Sequence, residues 1–133
     1  MASKVIPTLR YKDARAAIEF LQRAFGFEAA LVVEGAGGGI DHAQLVHDSG
    51  MIMIGSARDD EFGSLVGGAD RPFHSSIYVV VDDVAGHAGR ARAAGAKILM
   101  EPEEQDYGGS SYTAQDPEGN IWSFGSYDPW AEV

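Results

Sequence analysis

Two histidines and their near neighbours are the residues of this sequence best suited to chemistry. His42 lies two residues from Gln44, and His74 lies two residues from Ser76. Side chains two apart share one face of a regular strand, so each pair is expected to point the same way. Imidazole is a common ligand of divalent metals. A metal site built on His42, Gln44 and His74 is therefore conceivable, with a carboxylate added from Glu34 or Glu101.

The competing interpretation of the histidines is structural. Histidines at strand ends commonly have no catalytic or ligand role, and His47 directly precedes the tight turn "DSG", where exposure to solvent is expected. His87 lies among small residues in "DDVAGHAGRARAAG" and is expected to be a half-exposed helix residue rather than a ligand.

Other catalytic signatures are missing from the sequence. The chain has no cysteine, which excludes thiolate nucleophiles, Cys-based metal sites and disulfides. It has no G-x-S-x-G segment and no His-x-x-x-His on a helix. "GAGGG" at 35–39 lies between two predicted strands, so we interpret it as a turn, because a phosphate cradle needs a following helix N-terminus.

The charge balance narrows the class of partner. Among 133 residues, 20 are acidic and 10 are basic, giving a formal net charge of -10. This charge disfavours nucleic acid and favours a cationic small molecule, although it can equally serve solubility. No signal peptide and no stretch long enough to cross a membrane is recognised, so no membrane partner and a cytoplasmic location are expected.

The elements that would position these residues form two similar series. In the first module, about 4–56, the order is β-α-β-β-β: strand 4–11, a helix capped by Asp13 and ended by Gly26, and strands at 27–35, 40–47 and 51–56. Residues 57–72 are rich in Asp and Gly and are interpreted as a linker or loop.

The second module, about 73–127, repeats that order. A strand at 73–81 precedes a helix capped by Asp82 or Asp83 and ended by Gly95, and strands follow at 96–102, 110–115 and 120–127. A shift of 69 residues carries Asp13 onto Asp82 (82 − 13 = 69) and Gly26 onto Gly95. Internal duplication of this kind predicts an α+β fold of two β-α-β-β-β modules within one domain, 1–133.

The helix "KDARAAIEFLQRAFGF" and the terminal hairpin "DPEGNIWSF", together with the paired modules, resemble the vicinal oxygen chelate superfamily. That superfamily includes glyoxalase I, extradiol dioxygenases and bleomycin-resistance proteins. The resemblance covers nearly the whole chain, and within it the chain is most similar in kind to metal-free, bleomycin-resistance-like members. It implies curved mixed sheets around a cup and pairing as a homodimer. In enzymatic members the cup holds one divalent metal that acts as a Lewis acid.

The positions that correspond to the metal ligands of that superfamily carry poor donors. The resemblance aligns them with Ile6, Gln44, Ser76 and Ser123. A divalent metal prefers imidazole or carboxylate ligands, and this set offers one amide and two hydroxyls. The resemblance therefore predicts no resident metal and no cofactor, with the His42, Gln44 and His74 cluster as the fallback.

Aromatic residues crowd the last quarter of the chain. Trp122 and Phe124 alternate with Ser123 and are expected to belong to the core. Tyr107, Tyr112 and Trp130 lie on or beside loops and are the better candidates for a pocket. The first strand adds Thr8 and Arg10, and Arg10 is expected either to pair with Glu34 or to meet an anionic ligand.

Two functions of different classes follow. The favoured one is a non-enzymatic protein that binds a small molecule, an antibiotic among the possibilities. The expected ligand-binding residues are Ile6, Thr8, Arg10, Gln44, Ser76, Tyr107, Tyr112, Ser123 and Trp130. The alternative is a metal-dependent lyase, isomerase or dioxygenase of the glyoxalase type with displaced ligands.

Overall fold

Two compact units, Met1–Pro72 and Phe73–Val133, make up the chain. A computed structural model describes residues 2–66 and 75–131. Each unit contains one four-stranded mixed sheet. From the first to the fourth strand of each unit, the order of strands and α-helices is β-α-β-β-β. The predicted α+β class with two such modules is therefore confirmed.

The first unit begins with its edge strand and main helix. Its elements are β1 (Thr8–Tyr11), α1 (Ala14–Phe25), β2 (Glu28–Glu34), β3 (Ile40–His47), β4 (Gly50–Ser56) and a short helix α2 (Glu61–Val66). The strand order in the sheet is β1-β4-β3-β2, and β1 runs parallel to β4 while the other neighbours are antiparallel.

Helix α1 forms where the sequence predicts it. The Asp13 side chain accepts a hydrogen bond from the Ala16 backbone N–H at 3.0 Å, which satisfies one of the unpaired donors of the first turn. Gly26 ends the helix in the left-handed region at φ 83°, which glycine adopts without steric cost. The buried face consists of the six apolar residues expected from their spacing: Ala14, Ala17, Ile18, Leu21, Ala24 and Phe25.

The second unit repeats the arrangement. Its elements are β5 (Ile77–Val80), α3 (Val84–Ala93), β6 (Lys97–Glu104), β7 (Ser110–Gln115) and β8 (Ile121–Gly125). The strand order is β5-β8-β7-β6, with β5 parallel to β8, so each strand has the same place in its sheet as its counterpart in the first unit.

Several elements differ from the predictions in their bounds or their presence. Strand β1 starts at Thr8 rather than at residue 4, because Pro7 has no N–H to donate to a ladder. Helix α2 lies inside the predicted linker. The cap of α3 is Asp83, one of the two predicted caps, so the caps of α1 and α3 are 70 residues apart rather than 69 (83 − 13 = 70). Strand β6 continues to Glu104, two residues beyond its predicted end.

The core of the second unit lies between its sheet and α3. Trp122 and Phe124 are fully buried, as predicted, and the half-buried His87 ring of α3 lies 4.3 Å from that of Phe124. Side chains alternate along a strand, so Thr113 and Ser123 lie on the opposite face of the sheet, as does Tyr78, which pairs with Ser123. We call this side, away from α3, the open face.

The turn between β7 and β8 is organised by one buried carboxylate. Asp116 accepts hydrogen bonds from the backbone N–H groups of Glu118 and Asn120, each at 3.0 Å. Its other oxygen accepts from the Asn120 side-chain amide at 3.0 Å and from the Trp122 indole at 3.2 Å. The turn therefore fixes the start of β8.

Candidate ligand-binding site

The larger cavity lies on the open face of the second sheet. Its volume is about 670 Å³. The wall combines hydroxyl, aromatic, apolar and acidic side chains with one amide. The lining residues are Ser76, Tyr78, Met100, Glu101, Pro102, Glu103, Gln105, Tyr107, Ser111, Tyr112, Thr113 and Ser123.

Tyr78 is anchored on the sheet by its hydroxyl and by a glycine beneath it. The Tyr78 hydroxyl donates a hydrogen bond to the Tyr127 carbonyl oxygen at 2.7 Å. A Cβ at Gly125 would lie 2.5 Å from that hydroxyl oxygen and 3.0 Å from Cε1 of the same ring. Because Gly125 has no side chain, the Tyr78 ring can lie close to the sheet. Tyr78 is still 39% exposed.

The hydroxyl of Tyr78 is held in its protonated form. Partial burial raises the pKa of the Tyr78 phenol, and the nearby Tyr107 and Asp128 raise it further. The neutral hydroxyl is thus kept as the donor to Tyr127.

A second aromatic side chain stands on the loop after β6. The Tyr107 ring packs edge-on against the Tyr127 ring, with centroids 5.2 Å apart and an interplanar angle of 79°. Tyr107 is mostly exposed and lines the cavity, as the sequence predicts for a residue beside this loop. Tyr127 thus contacts two of the tyrosines that line the cavity, Tyr78 through its backbone and Tyr107 through its ring.

A pair of hydroxyls occupies the middle of the open face. Thr113 Oγ1 and Ser123 Oγ lie 2.8 Å apart, within hydrogen-bonding distance. Ser76 lines the same cavity two residues before Tyr78. The structure therefore brings together Ser76, Tyr107 and Ser123 among the predicted binding residues.

A smaller cavity lies in the first unit, with a volume of about 210 Å³. Its lining includes Thr8, Arg10, His42, Met53 and Phe62. The structure thus places predicted binding residues on both units, with Thr8 and Arg10 in the smaller cavity.

Arg10 is neutralised by a partner other than the one expected. Its guanidinium donates to both carboxylate oxygens of Asp60, at 3.2 and 3.3 Å, and lies 4.9 Å from the ring centroid of Phe62 on α2. Glu34 pairs with Arg15 at 2.6 Å instead. The expected Arg10–Glu34 pair is therefore wrong, because α2 brings Asp60 to Arg10.

The remaining predicted residues lie elsewhere. Gln44 is half-buried on β3, opposite Met53 of β4, and Ile6 precedes β1; neither belongs to the described lining of the two cavities. Trp130 is 83% exposed and also lies outside both linings.

Tyr112, which the sequence predicts as a pocket residue, has its ring in the core. It borders the larger cavity but is only 1% exposed, and its ring stacks on Phe124 on the α3 side of the sheet. Its hydroxyl lies 2.5 Å from Nδ1 of His87, and burial raises the pKa of this phenol. Tyr112 and Ala114 are two positions apart on β7, so they share one face of the sheet, and Thr113 between them lies on the other face.

The residues that the structure describes do not fit a divalent metal. At the last-strand position Ser123 pairs with the Thr113 hydroxyl, and a neutral hydroxyl is a weak metal ligand. Within 2–66 and 75–131, no group of three or more His, Asp or Glu side chains could hold a metal ion. The fallback cluster cannot be assembled from the described chain, since His74 lies outside the described residues.

Sequence reasoning missed Tyr78 as a wall of the cavity. The sequence contains an indication of this position, because Tyr78 lies two residues after Ser76 and alternation along a strand puts both side chains on the same face. It also missed Met100 and Glu103, because an irregular register interrupts β6 between Ile98 and Glu103 and alternation cannot be counted across it.

The chain belongs to the Glyoxalase/Bleomycin resistance protein/Dioxygenase superfamily, whose family model matches residues 5–124. The resemblance inferred from the α1 helix and the last hairpin is thereby confirmed. None of the helices described between residues 2 and 131 is long and apolar enough to cross a membrane.

Relatives and solved structures cover most of the chain. The uncharacterized protein Mb0911c of Mycobacterium bovis is 30% identical over 90% of this chain and 80% of its own length. The crystal structure of TioX from Micromonospora sp. ML1 is 29% identical, with a TM-score of 0.71 over 93% of this chain and 98% of TioX. Glyoxalase I from Zea mays, 18% identical, matches in fold with a TM-score of 0.72 over 92% of this chain and 43% of the maize chain.

Proposed function

We propose that the protein is a non-enzymatic small-molecule binding protein whose ligand occupies the open face of the second sheet. The cavity there carries the proposal. Its volume of about 670 Å³ lies within the range of about 300–1,000 Å³ typical of small-molecule sites. Such sites combine apolar and aromatic walls with a few polar groups that orient the ligand.

The side chains of this cavity match that division of roles. Tyr78, Tyr107 and Met100 offer aromatic and apolar surface for stacking and packing. The Thr113–Ser123 hydroxyl pair and Ser76 offer hydrogen bonds. An antibiotic with an aromatic group is one kind of ligand that these walls would accept.

A screen of small molecules by thermal unfolding tests the proposal. A ligand at about a hundred times its Kd should raise Tm by roughly 10 °C, since it binds only the folded state. Tyr78→Ala should abolish the shift, because it removes the aromatic ring that lies on the open face of the sheet. Trp130→Ala is the matched aromatic control outside the cavity and should leave the shift unchanged. A ligand whose shift survives Tyr78→Ala but is lost with Trp130→Ala would contradict the assignment.

The enzymatic alternative is decided by metal analysis. The purified protein, without a histidine tag, is incubated with Ni, Zn, Mn and Fe(II) and desalted. We expect no stoichiometric metal, because the donor set of the described residues is poor. One metal per chain, lost on His42→Ala, would overturn the binding-protein proposal in favour of a glyoxalase-type or dioxygenase-type enzyme.

We also propose that the protein works as a homodimer in the cytoplasm. β2 supports dimer formation, since this edge strand of the first sheet exposes the apolar residues Leu31, Val32 and Val33. The lack of cysteine suits a reducing compartment. Sedimentation equilibrium should give twice the chain mass of 14.1 kDa, and a mass of one chain at all concentrations would contradict the dimer.

A further inference from the structure

Among the residues that the structure describes, the charged side chains that line the larger cavity are all acidic. Glu101 and Glu103 of β6 belong to its wall, and the described lining contains no Lys, Arg or His. Glu101 forms an ion pair with Arg92 at 2.5 Å, which offsets its charge. Glu103 forms no ion pair within the described parts of the chain, so its carboxylate leaves a negative charge at the wall.

Strand register places Glu103 in one row with Gly125, the residue beneath the hydroxyl of Tyr78. Glu103 pairs with Ser111 across β6 and β7, and Ser111 pairs with Gly125 across β7 and β8. The phenol end of Tyr78 lies over Gly125. Neighbouring strands are about 4.8 Å apart, so the backbone of Glu103 lies roughly 10 Å from that of Gly125. This separation leaves room for one small charged group above Ser111, between the carboxylate and the ring.

The aromatic surface at the same place suits a cation. The Tyr78 hydroxyl is already engaged with Tyr127, so the ring rather than the hydroxyl is the surface offered to a ligand. A cation within about 6 Å of an aromatic ring centroid is attracted by the negative face of the ring. Tyr107 adds a second ring to the same cavity.

We propose that this cavity takes an organic cation, a protonated amine or quaternary ammonium group on an apolar body, with the charged group between the Glu103 carboxylate and the Tyr78 ring. The proposal rests on the proposed binding function and specifies its ligand class. The apolar body packs against Met100, which is 66% exposed. An anionic group at the same place would be repelled by the Glu103 carboxylate.

Three probes of one shape and different charge test the ligand class. Phenylbutylammonium, phenylbutanol and phenylpentanoate carry the same apolar body with a positive, neutral and negative end. Each is titrated into the full chain near neutral pH and low ionic strength, and the backbone amide shifts are followed by NMR. Fragments of this size should bind in the millimolar range. We expect shifts at Tyr78, Ser111 and Gly125, with the ammonium bound roughly tenfold more tightly than the alcohol and the carboxylate most weakly.

A pair of charge-matched variants separates the local effect from the overall charge. Glu103→Gln should reduce the preference for the ammonium over the alcohol to about twofold, because only the ring attraction remains. Glu28→Gln removes the same charge from an exposed site on β2, outside the cavity, and should leave the preference unchanged.

The outcomes for the ligand class and for the binding function are distinct. Equal affinity for the three probes, with shifts at the cavity residues, would overturn the cation proposal and leave the binding function in place. An equal loss of preference in Glu103→Gln and Glu28→Gln would also overturn it. Absence of shifts at the cavity residues with every probe would contradict both proposals.

Discussion

Asp116 shows how one side chain can secure a whole hairpin. Its two oxygens accept four hydrogen bonds, two of them from the side chains of Asn120 and Trp122, and the residue is almost fully buried. A buried donor left without its acceptor costs about 1–3 kcal/mol. The carboxylate therefore stabilises the turn that sets the register of β8, and with it the position of Ser123.

Replacement of Asp116 by alanine is expected to lower the free energy of unfolding by roughly 2–4 kcal/mol, because the buried Asn120 amide and Trp122 indole lose their acceptor. Urea denaturation followed by tryptophan fluorescence measures the change. Asp106→Ala, an exposed carboxylate on the loop after β6, is the control and should change stability by less than about 0.5 kcal/mol. Equal stability of the two variants would contradict the role given to Asp116.

The candidate site could be predicted from the sequence only where alternation is regular. Ser123 was placed correctly because the "DPEGN" turn fixes the count along β8. For Tyr112 the nearby loop suggested exposure, whereas alternation along β7 puts it with Ala114 on the buried face. Glu103 follows an irregularity of β6, and a single-residue shift in register reverses the face of every later side chain.

Helix α2 depends on a charge cluster rather than on a buried face. None of its residues is buried, and Asp60 caps it by accepting a hydrogen bond from the Gly63 N–H at 2.7 Å. The same carboxylate binds Arg10 and Arg58. A six-residue helix without a buried face leaves no periodic pattern, which explains why the sequence predicted a linker here.

The pH dependence of α2 follows from that cluster. The hydrogen bond from Arg10, followed by that from Gly63, lowers the pKa of Asp60 from 3.8 to about 2. A lowered pKa in the folded state means that the cap is fully present above the unfolded value of 3.8 and is lost as pH falls through about 2. The Gly63 amide shift should therefore titrate with a midpoint near 2.

Arg10→Gln should raise the midpoint of the Gly63 amide titration toward 3.8, since it removes the hydrogen bond that contributes most to the lowered pKa of Asp60. Arg23→Gln, on the exposed side of α1, is the matched control and should leave it unchanged. A midpoint near 3.8 in the unaltered protein would contradict the Arg10–Asp60 contact.

The internal repeat is the property of the whole molecule that the sequence predicted best. Asp13 and Asp83 cap helices of similar length, and a glycine in the left-handed region follows each helix: Gly26 is the C-cap of α1, and Gly95 comes one residue after Ala94, the C-cap of α3. Both sheets then adopt the same strand order, because the order of elements and the short connections restrict the topology. Strand pairing partners could not be predicted from either half alone, since register depends on contacts between distant residues.

The net charge of -10 predicts a salt dependence for the proposed cation site. Attraction between exposed charges weakens once the Debye length falls below their separation, and that length is about 10 Å at 0.1 M salt. Binding of phenylbutylammonium should weaken several-fold between about 0.02 and 0.5 M NaCl. Phenylbutanol is the control, and its affinity should stay constant or rise slightly. A salt-independent ammonium affinity would contradict an electrostatic contribution.

The acidic strand β6 has a consequence for the protein in concentrated solution. It is the edge strand of its sheet, eight residues long, and edge strands of that length can add a strand from another molecule and start aggregation. Pro102 offers no N–H to such a strand, and Glu101, Glu103 and Glu104 would place like charges side by side in a stack of copies. The residues that form the cavity wall thereby also keep neighbouring molecules from joining edge to edge.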